Sequence, residues 1–231
     1  MIPENLSEAA ARLLKQLRKK YKVDFDDLKV REAQLKILRI TDLEPILQGK
    51  DPFKNVSEFP FWVKLWEASM VLADLVAGMP PRSGQTLLEL GAGMGAPGLV
   101  AAACGYQVTL SDYEPVILDF QKVSAAASDL YNVHHKMIDW TKPPALDPFD
   151  TIIGAEILFR EDFFEPLLQI FEKLLAPAGV IYLAHDVRRK SLPQFLMLAE
   201  KKYDIAISER KIKTADEEIK IILSRLIPRT S

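Results

Sequence analysis

Cysteine is nearly absent from this 231-residue chain: Cys104 stands alone. One cysteine excludes a disulfide framework and a thiolate metal cluster, and Cys104 reads as a small buried residue on a helix. Excess charge of one sign is also missing, with 30 Lys and Arg against 32 Asp and Glu and a formal net charge of -2. That balance gives no global attraction to nucleic acid or anionic lipid. No uncharged run approaches the roughly 18 residues of a membrane-crossing helix, and the first six residues carry an acid and no apolar signal core. The chain shows no internal repeat and no low-complexity segment. These absences lead to the expectation of a cytoplasmic monomer with no membrane, nucleic-acid or metal partner.

Hydrophobic content of 48% and charged content of 27% are those of a globular protein with a sizeable core. Residues 1–58 read as an N-terminal extension. Glu8–Tyr21 has apolar residues at helical spacing (Ala9, Leu13, Leu14, Leu17), and Ser7 can cap it. Its basic face (Arg12, Lys15, Arg18, Lys19, Lys20) is a solvated surface or a patch for an acidic partner. Val23–Thr41 suggests a strand or hairpin and Leu43–Gln48 a short helix. The aromatic-rich lead-in Phe59-Pro60-Phe61-Trp62-Val63-Lys64-Leu65-Trp66 precedes a helix over Glu67–Ala77. Aromatics so spaced are more often core, but a segment entering just before the next strand is placed to lie over a ligand, Trp66 at the ligand and Trp62 at the rim of a channel.

From Thr86 onward strand and helix signals alternate. Strands are expected at Thr86–Leu90, Gln107–Ser111, Val133–Ile138, Phe149–Ala155 and Gly179–Ala184. Helices are expected from Leu99, over Val116–Ala127 opened by Pro115, over Phe163–Leu175 and over Leu192–Lys201. Two closing strands, Ile205–Ser208 and Ile219–Leu226, are separated by a polar connection too short for a crossover helix. The fold class is therefore α/β, a doubly wound, mostly parallel seven-stranded sheet with a C-terminal antiparallel hairpin. Residues 59–231 form its domain.

Four glycines fall within eight residues after the first sheet strand: Gly91, Gly93, Gly95 and Gly98. There the backbone can turn sharply and a ligand can approach without meeting a Cβ. Two patterns fit. Gly93-x-Gly95-x-x-Gly98 with Asp112 downstream is a dinucleotide pattern. Glu89-x-Gly91-x-Gly93-x-Gly95 with Asp112 at the next strand tip is that of a sulfonium nucleoside site. An acid ends or follows each of the first four sheet strands (Glu89, Asp112, Asp139, Glu156), and no second substrate domain follows, which favours the second pattern. Asp112 and Asp139 can also be turn-forming aspartates.

With these residues the chain resembles the class I S-adenosylmethionine-dependent methyltransferases. The resemblance implies S-adenosylmethionine as cofactor, with Glu89, Gly91 and Gly93 at its methionine part, Asp112 on the ribose hydroxyls, and Asp139 and Trp140 at the adenine. After the fourth strand, Gly154-Ala155-Glu156-Ile157-Leu158-Phe159 lacks the Asn/Asp-Pro-Pro-Tyr/Phe turn of enzymes that methylate planar amino groups. Glu156-x-x-Phe159 instead is similar to the Asp/Glu-x-x-Tyr/Phe motif of methyltransferase family 16, which contains protein lysine methyltransferases. Pro60-Phe61-Trp62 through Trp66 and Ile138-Asp139-Trp140 agree. The resemblance runs from Phe59 to Asp186 and implies a protein lysine as acceptor. It puts Trp66 and Ala155 at the cofactor and Glu156 and Phe159 at the acceptor, Glu156 holding the amine and Phe159 walling the channel with an apolar face, having no hydroxyl. His185 and Asp186 read as a strand-end turn, and His134 and His135 as structural or exposed. A small-molecule N- or O-methyltransferase and a non-catalytic interaction module are the alternatives.

Overall fold

The computed structural model describes residues 6–47, 61–213 and 217–229. Phe59, Pro60 and the expected boundary between residues 58 and 59 lie outside them. Helix α1 (Glu8–Arg18) starts at Ser7, whose Oγ accepts a hydrogen bond from Ala10 N at 3.3 Å. Its buried stripe is Ala10, Leu14 and Leu17, so Ala9, expected inside, faces solvent. Strands β1 (Val23–Val30) and β2 (Ala33–Ile40) form an antiparallel hairpin, followed by the short helix α2 (Glu44–Leu47). Helix α3 covers Glu67–Ala77, the expected span.

The seven remaining strands are β3 (Thr86–Glu89), β4 (Gln107–Asp112), β5 (Val133–Met137), β6 (Phe149–Ala155), β7 (Leu175–Asp186), β8 (Tyr203–Lys213) and β9 (Glu218–Pro228). They form one sheet in the order β5-β4-β3-β6-β7-β9-β8. β9 alone runs against its neighbours. The crossover helices are α4 (Ala96–Ala103), α5 (Pro115–Ala127), α6 (Phe164–Leu174) and α7 (Ser191–Ala199). α4 begins three residues before the expected Leu99, because Pro97 in its first turn lacks an N–H that would have had no helical partner anyway.

The C-terminal pair departs most from expectation. Glu209–Lys213, read as a polar connection, continues β8, and Lys213 pairs with Glu218. Apart from half-buried Ile212, this part of β8 carries exposed charged residues, and the buried residues Ile219 and Ile221 lie on the facing β9, so little apolar alternation marks β8 there. Ion pairs across the strands, Lys211–Glu218 at 3.3 Å and Lys220–Glu209 at 3.8 Å, replace it.

Apolar layers cover both faces of the sheet. On one face Leu72, Leu99, Val100 and Ala125 of α3, α4 and α5 pack on Leu87, Val108, Leu110 and Ile153. On the other, Leu167, Phe171 and Phe195 of α6 and α7 pack on Leu88, Ile152, Ile181 and Leu183. The N-terminal hairpin joins the first layer through Leu35 and Ile37. α1 joins through a third cluster in which Leu14, Leu17 and Leu38 meet Phe120 and Val123 of α5. Among the described residues no helix is long and apolar enough to cross a membrane.

Two serines of α5 peg the hairpin in place. Leu38 N donates to Ser124 Oγ and Lys36 N to Ser128 Oγ, each at 2.9 Å. Ser124 is fully buried, so its removal leaves Leu38 N–H without an acceptor. Ser124→Ala is expected to lower stability by about 1–3 kcal/mol in chemical denaturation. A loss near zero would mean that the peg does not hold the hairpin.

Candidate active site

The chain winds from β3 toward β5 and then returns through β6 toward β8, so β3 and β6 are neighbours that lead to opposite edges. Ligands of open α/β sheets bind beyond the strand carboxyl ends at such a switch point. The residues there are Glu89 to Gly98 after β3 and Ala155 to Phe159 after β6. A cavity of about 790 Å³ opens between them.

Backbone bonds and one buried glutamine shape the glycine loop. Leu90 N donates to Ile153 O and Ala92 N to Ser111 O, both at 2.9 Å. Gly93, at φ +53°, donates its N–H to Asp112 Oδ2 at 2.9 Å, and its carbonyl accepts from Gln121 Nε2 at 2.7 Å. Gly98 must lack a side chain for a different reason: a Cβ there would lie 2.2 Å from Leu110 Cδ2 and 2.6 Å from Glu89 Oε2.

Glu89 does not line the cavity. It is 2% exposed beneath the loop, where it accepts from Gly98 N at 2.8 Å. Burial pushes its carboxyl up to about 8 despite that hydrogen bond. Asp112 does line the cavity. Its oxygens accept from Gly93 N and, at 2.8 Å, from Tyr113 N; burial raises its carboxyl and these N–H groups oppose the rise. Asp139 also lines the cavity, with Oδ1 engaged by Thr141 N at 2.9 Å and Thr141 Oγ1 at 2.7 Å, the bonding of a turn-forming aspartate. Gly91, Gly93, Trp66, Trp140 and Ala155 border the same space, and Lys64 Nζ lies 4.7 Å over the Trp66 ring.

Glu156 has a backbone that glutamate rarely adopts, φ 56°. Such a conformation costs of order 1–3 kcal/mol and persists where surroundings enforce it. Here Glu156 N donates to Ala184 O at 2.9 Å, and Asp186 N donates to Oε1 at 2.6 Å. Arg189 closes the arrangement, donating to Oε2 from Nε at 3.0 Å and also from Nη2. Phe159, Trp140 and Phe163 form an aromatic triangle with ring centres 5.3–6.1 Å apart. Trp62 lines the cavity and packs on Phe120 at 5.3 Å. Phe159 and Tyr113 are 52% and 64% exposed at the cavity, so the described rim is open.

The structure thus brings together every expected site residue except Glu89, which lies behind the loop. His185 is fully buried and held neutral, burial pushing its imidazole down to about 3. His135 is likewise pushed down by burial, to about 4. Gln121 and Arg189 were not foreseen. Gln121 sits among apolar residues of α5, where a polar side chain is a signal of inward bonding; Arg189 is one of two adjacent arginines after β7, with nothing in the pattern to single it out.

A glycine loop at the switch point, an acid at the tip of β4 and a cavity with an aromatic wall together define a class I nucleoside-cofactor methyltransferase. The chain matches the profile of the lysine methyltransferase family over residues 60–202, and it belongs to that family. It is similar to protein N-lysine methyltransferase METTL21A of Mus musculus, 33% identical over 150 residues that cover 62% of this chain and 68% of the relative. It is also similar to histone-arginine methyltransferase METTL23 of Xenopus laevis, 26% identical over 196 residues covering 78% and 83%. Its fold matches that of the N-methyltransferase NodS from Bradyrhizobium japonicum in complex with S-adenosylhomocysteine, with TM-score 0.56 at 16% identity, covering 82% of this chain and 94% of the other.

The methyl donor is S-adenosylmethionine, and the residues fit it. A Cβ on Gly91 would approach Trp140 Cζ2 to 3.1 Å and Ile157 Cγ2 to 3.0 Å, so the cradle depends on bare backbone. The Asp112 carboxylate at the cavity wall supplies acceptors for vicinal hydroxyls.

Glu89 makes this organisation pH-dependent. Between 4.5, the ordinary value of its carboxyl, and about 8, the folded state retains a proton that the unfolded state has lost. Its contribution to stability is therefore full below that window and falls as pH rises through it. Melting temperatures measured across the window should decline more steeply for the natural protein than for Glu89→Gln. Equal slopes would contradict the buried, protonated carboxyl.

Proposed function

We propose that this protein methylates the side-chain amine of a lysine on another protein, acting as a cytoplasmic monomer with neither membrane nor nucleic-acid partner. The single observation that carries the acceptor is Glu156: a carboxylate forced into a left-handed backbone, aimed at the cavity and backed by aromatic rings. Bound S-adenosylmethionine supplies an electrophilic methyl on a sulfonium.

In this reading Gly91, Gly93 and the Ala155 backbone hold the methionine part, Asp112 takes the ribose hydroxyls, and Asp139 and Trp140 border the adenine. Trp66 covers the cofactor. Glu89 acts from beneath, by fixing the loop. The acceptor nitrogen must present a lone pair in line with the methyl, and Glu156 accepts one of its N–H bonds to orient it. Phe159 and Trp62 exclude water from the channel and offer ring faces to the cationic chain on its way in. The departing proton goes to water.

Likeness to METTL23 favours a second reading, arginine as acceptor. A guanidinium stays protonated, however, and at Glu156 it would meet the guanidinium of Arg189, whereas a neutral amine would not. Lysine is preferred on that ground. A small-molecule acceptor is the remaining alternative.

Incubating the protein with lysate and methyl-labelled cofactor should place label in the protein fraction. Label confined to small molecules would sink the reading. Glu156→Gln should lower turnover about 10²-fold while calorimetric affinity for S-adenosylmethionine stays near that of the natural protein. Parallel losses in both would remove Glu156 from the acceptor site.

A further inference from the structure

We propose that Arg189 is a positioning residue that acts through Glu156: by offsetting the carboxylate's charge, it makes the site take the acceptor amine without its proton. The inference rests on the lysine reading and adds how that amine becomes a nucleophile.

Two facts of geometry carry it. Oε2 of Glu156 receives both Nε and Nη2 of Arg189, and Oε1 receives Asp186 N–H. A carboxylate oxygen has about two acceptor directions, so Oε2 is filled and one direction on Oε1 is left for an incoming N–H. The pair is also shielded: the Glu156 side chain is 14% exposed and that of Arg189 35%. An unpaired carboxylate here would hold a lysine as ammonium and raise its pKa by about 1–3 units, tying up the lone pair that must attack. A carboxylate already matched by a guanidinium still accepts a hydrogen bond but no longer favours the charged amine.

The other charges near the pair are mostly committed elsewhere. Beyond β7, Arg188 is bound to Asp186 at 2.7 Å and lies 3.4 Å from Glu217. His185 beside them is neutral. Lys64, before α3, pairs with Glu67 at 3.4 Å, and Arg160 pairs with Asp162. Asp112 and Asp139 are bonded to backbone N–H groups, and Glu114 heads α5. The charge nearest the acceptor nitrogen is then set by Glu156 and Arg189. In the step itself one N–H bond of the ammonium breaks, its proton passes to water, and the nitrogen keeps the electron pair.

n-Butylamine, which carries the end of a lysine side chain, tests this without any protein acceptor. Its binding to the protein saturated with S-adenosylhomocysteine is followed by calorimetry near pH 8, in buffers of different ionisation enthalpy, which reports protons released per amine bound. The free amine is almost wholly protonated there; with the carboxylate's charge offset, desolvation against the shielded pair is unopposed and lowers an amine's pKa by up to about 3–5 units, so the natural protein should release most of one proton. Arg189→Gln should release far less, its bound amine titrating about one to three units higher, and Arg189→Lys should restore the release. Equal release by the natural protein and Arg189→Gln, release near zero by the natural protein, or no amine-dependent heat would each overturn the proposal. Proton release without protein label in lysate would sink the protein-lysine reading alone; protein label without proton release would sink this inference alone.

Discussion

The close approach of α4 to the sheet is the constraint on which the rest of the site depends. Gly98 leaves no room for even a methyl group between α4 and Leu110, and its N–H is bonded to the buried Glu89 carboxyl. With the helix pinned there, the loop from Leu90 to Ala96 has to turn within a few residues. Gly91, Gly93 and Gly95 all take positive φ, from 53° to 74°, to do so. Gln121 and Asp112 then grip Gly93 from either side. The cofactor cradle is thus a consequence of packing beneath it. A cradle of glycine backbone is flexible unless something rigid stands behind it, and a protonated carboxyl supplies rigidity without a buried charge.

The acceptor side is built differently. There the chain holds a strained residue in place from several directions instead of packing closely. Glu156 is tied by its own N–H to β7, by its carboxylate to the last backbone N–H of β7 and by the same carboxylate to Arg189. β6 and β7 are parallel neighbours, so their ends lie side by side, and the loops leaving them can meet only over the cavity. The sheet order places an acid and a cation together that the chain keeps 33 positions apart. The aromatic triangle around Trp140 closes the wall between this pair and the third strand's loop.

Much of the fold is legible in the sequence because burial enforces period and punctuation. Glu67–Ala77 is found as expected, and β3 to β6 match to within a residue at their ends; β3, β4 and β6 have side chains that face apolar layers, while β5 is a mostly exposed edge strand. The far half of β8 is not legible, because its run of exposed charged residues erases the alternation that marks a strand, whereas β9, with Ile219, Ile221 and Leu223 buried, lies within two residues of its expected ends. Among site residues, glycines and strand-end acids stand out by spacing. Whether an acid faces the cavity or the core is invisible at that level: Asp112 and Glu89 each end a strand, yet only Asp112 lines the cavity. Arg189 is hidden for a topological reason, as its partner is fixed by sheet order and not by any local pattern.

The central claim is that this site delivers a methyl group to a lysine side chain of a protein. The most direct measurement is residue-level mass mapping of lysate proteins after incubation with the protein and trideuteromethyl-labelled S-adenosylmethionine. The account predicts the heavy methyl on lysine Nζ, and its loss with Glu156→Gln. Heavy methyl on arginine, or in small molecules alone, would contradict it.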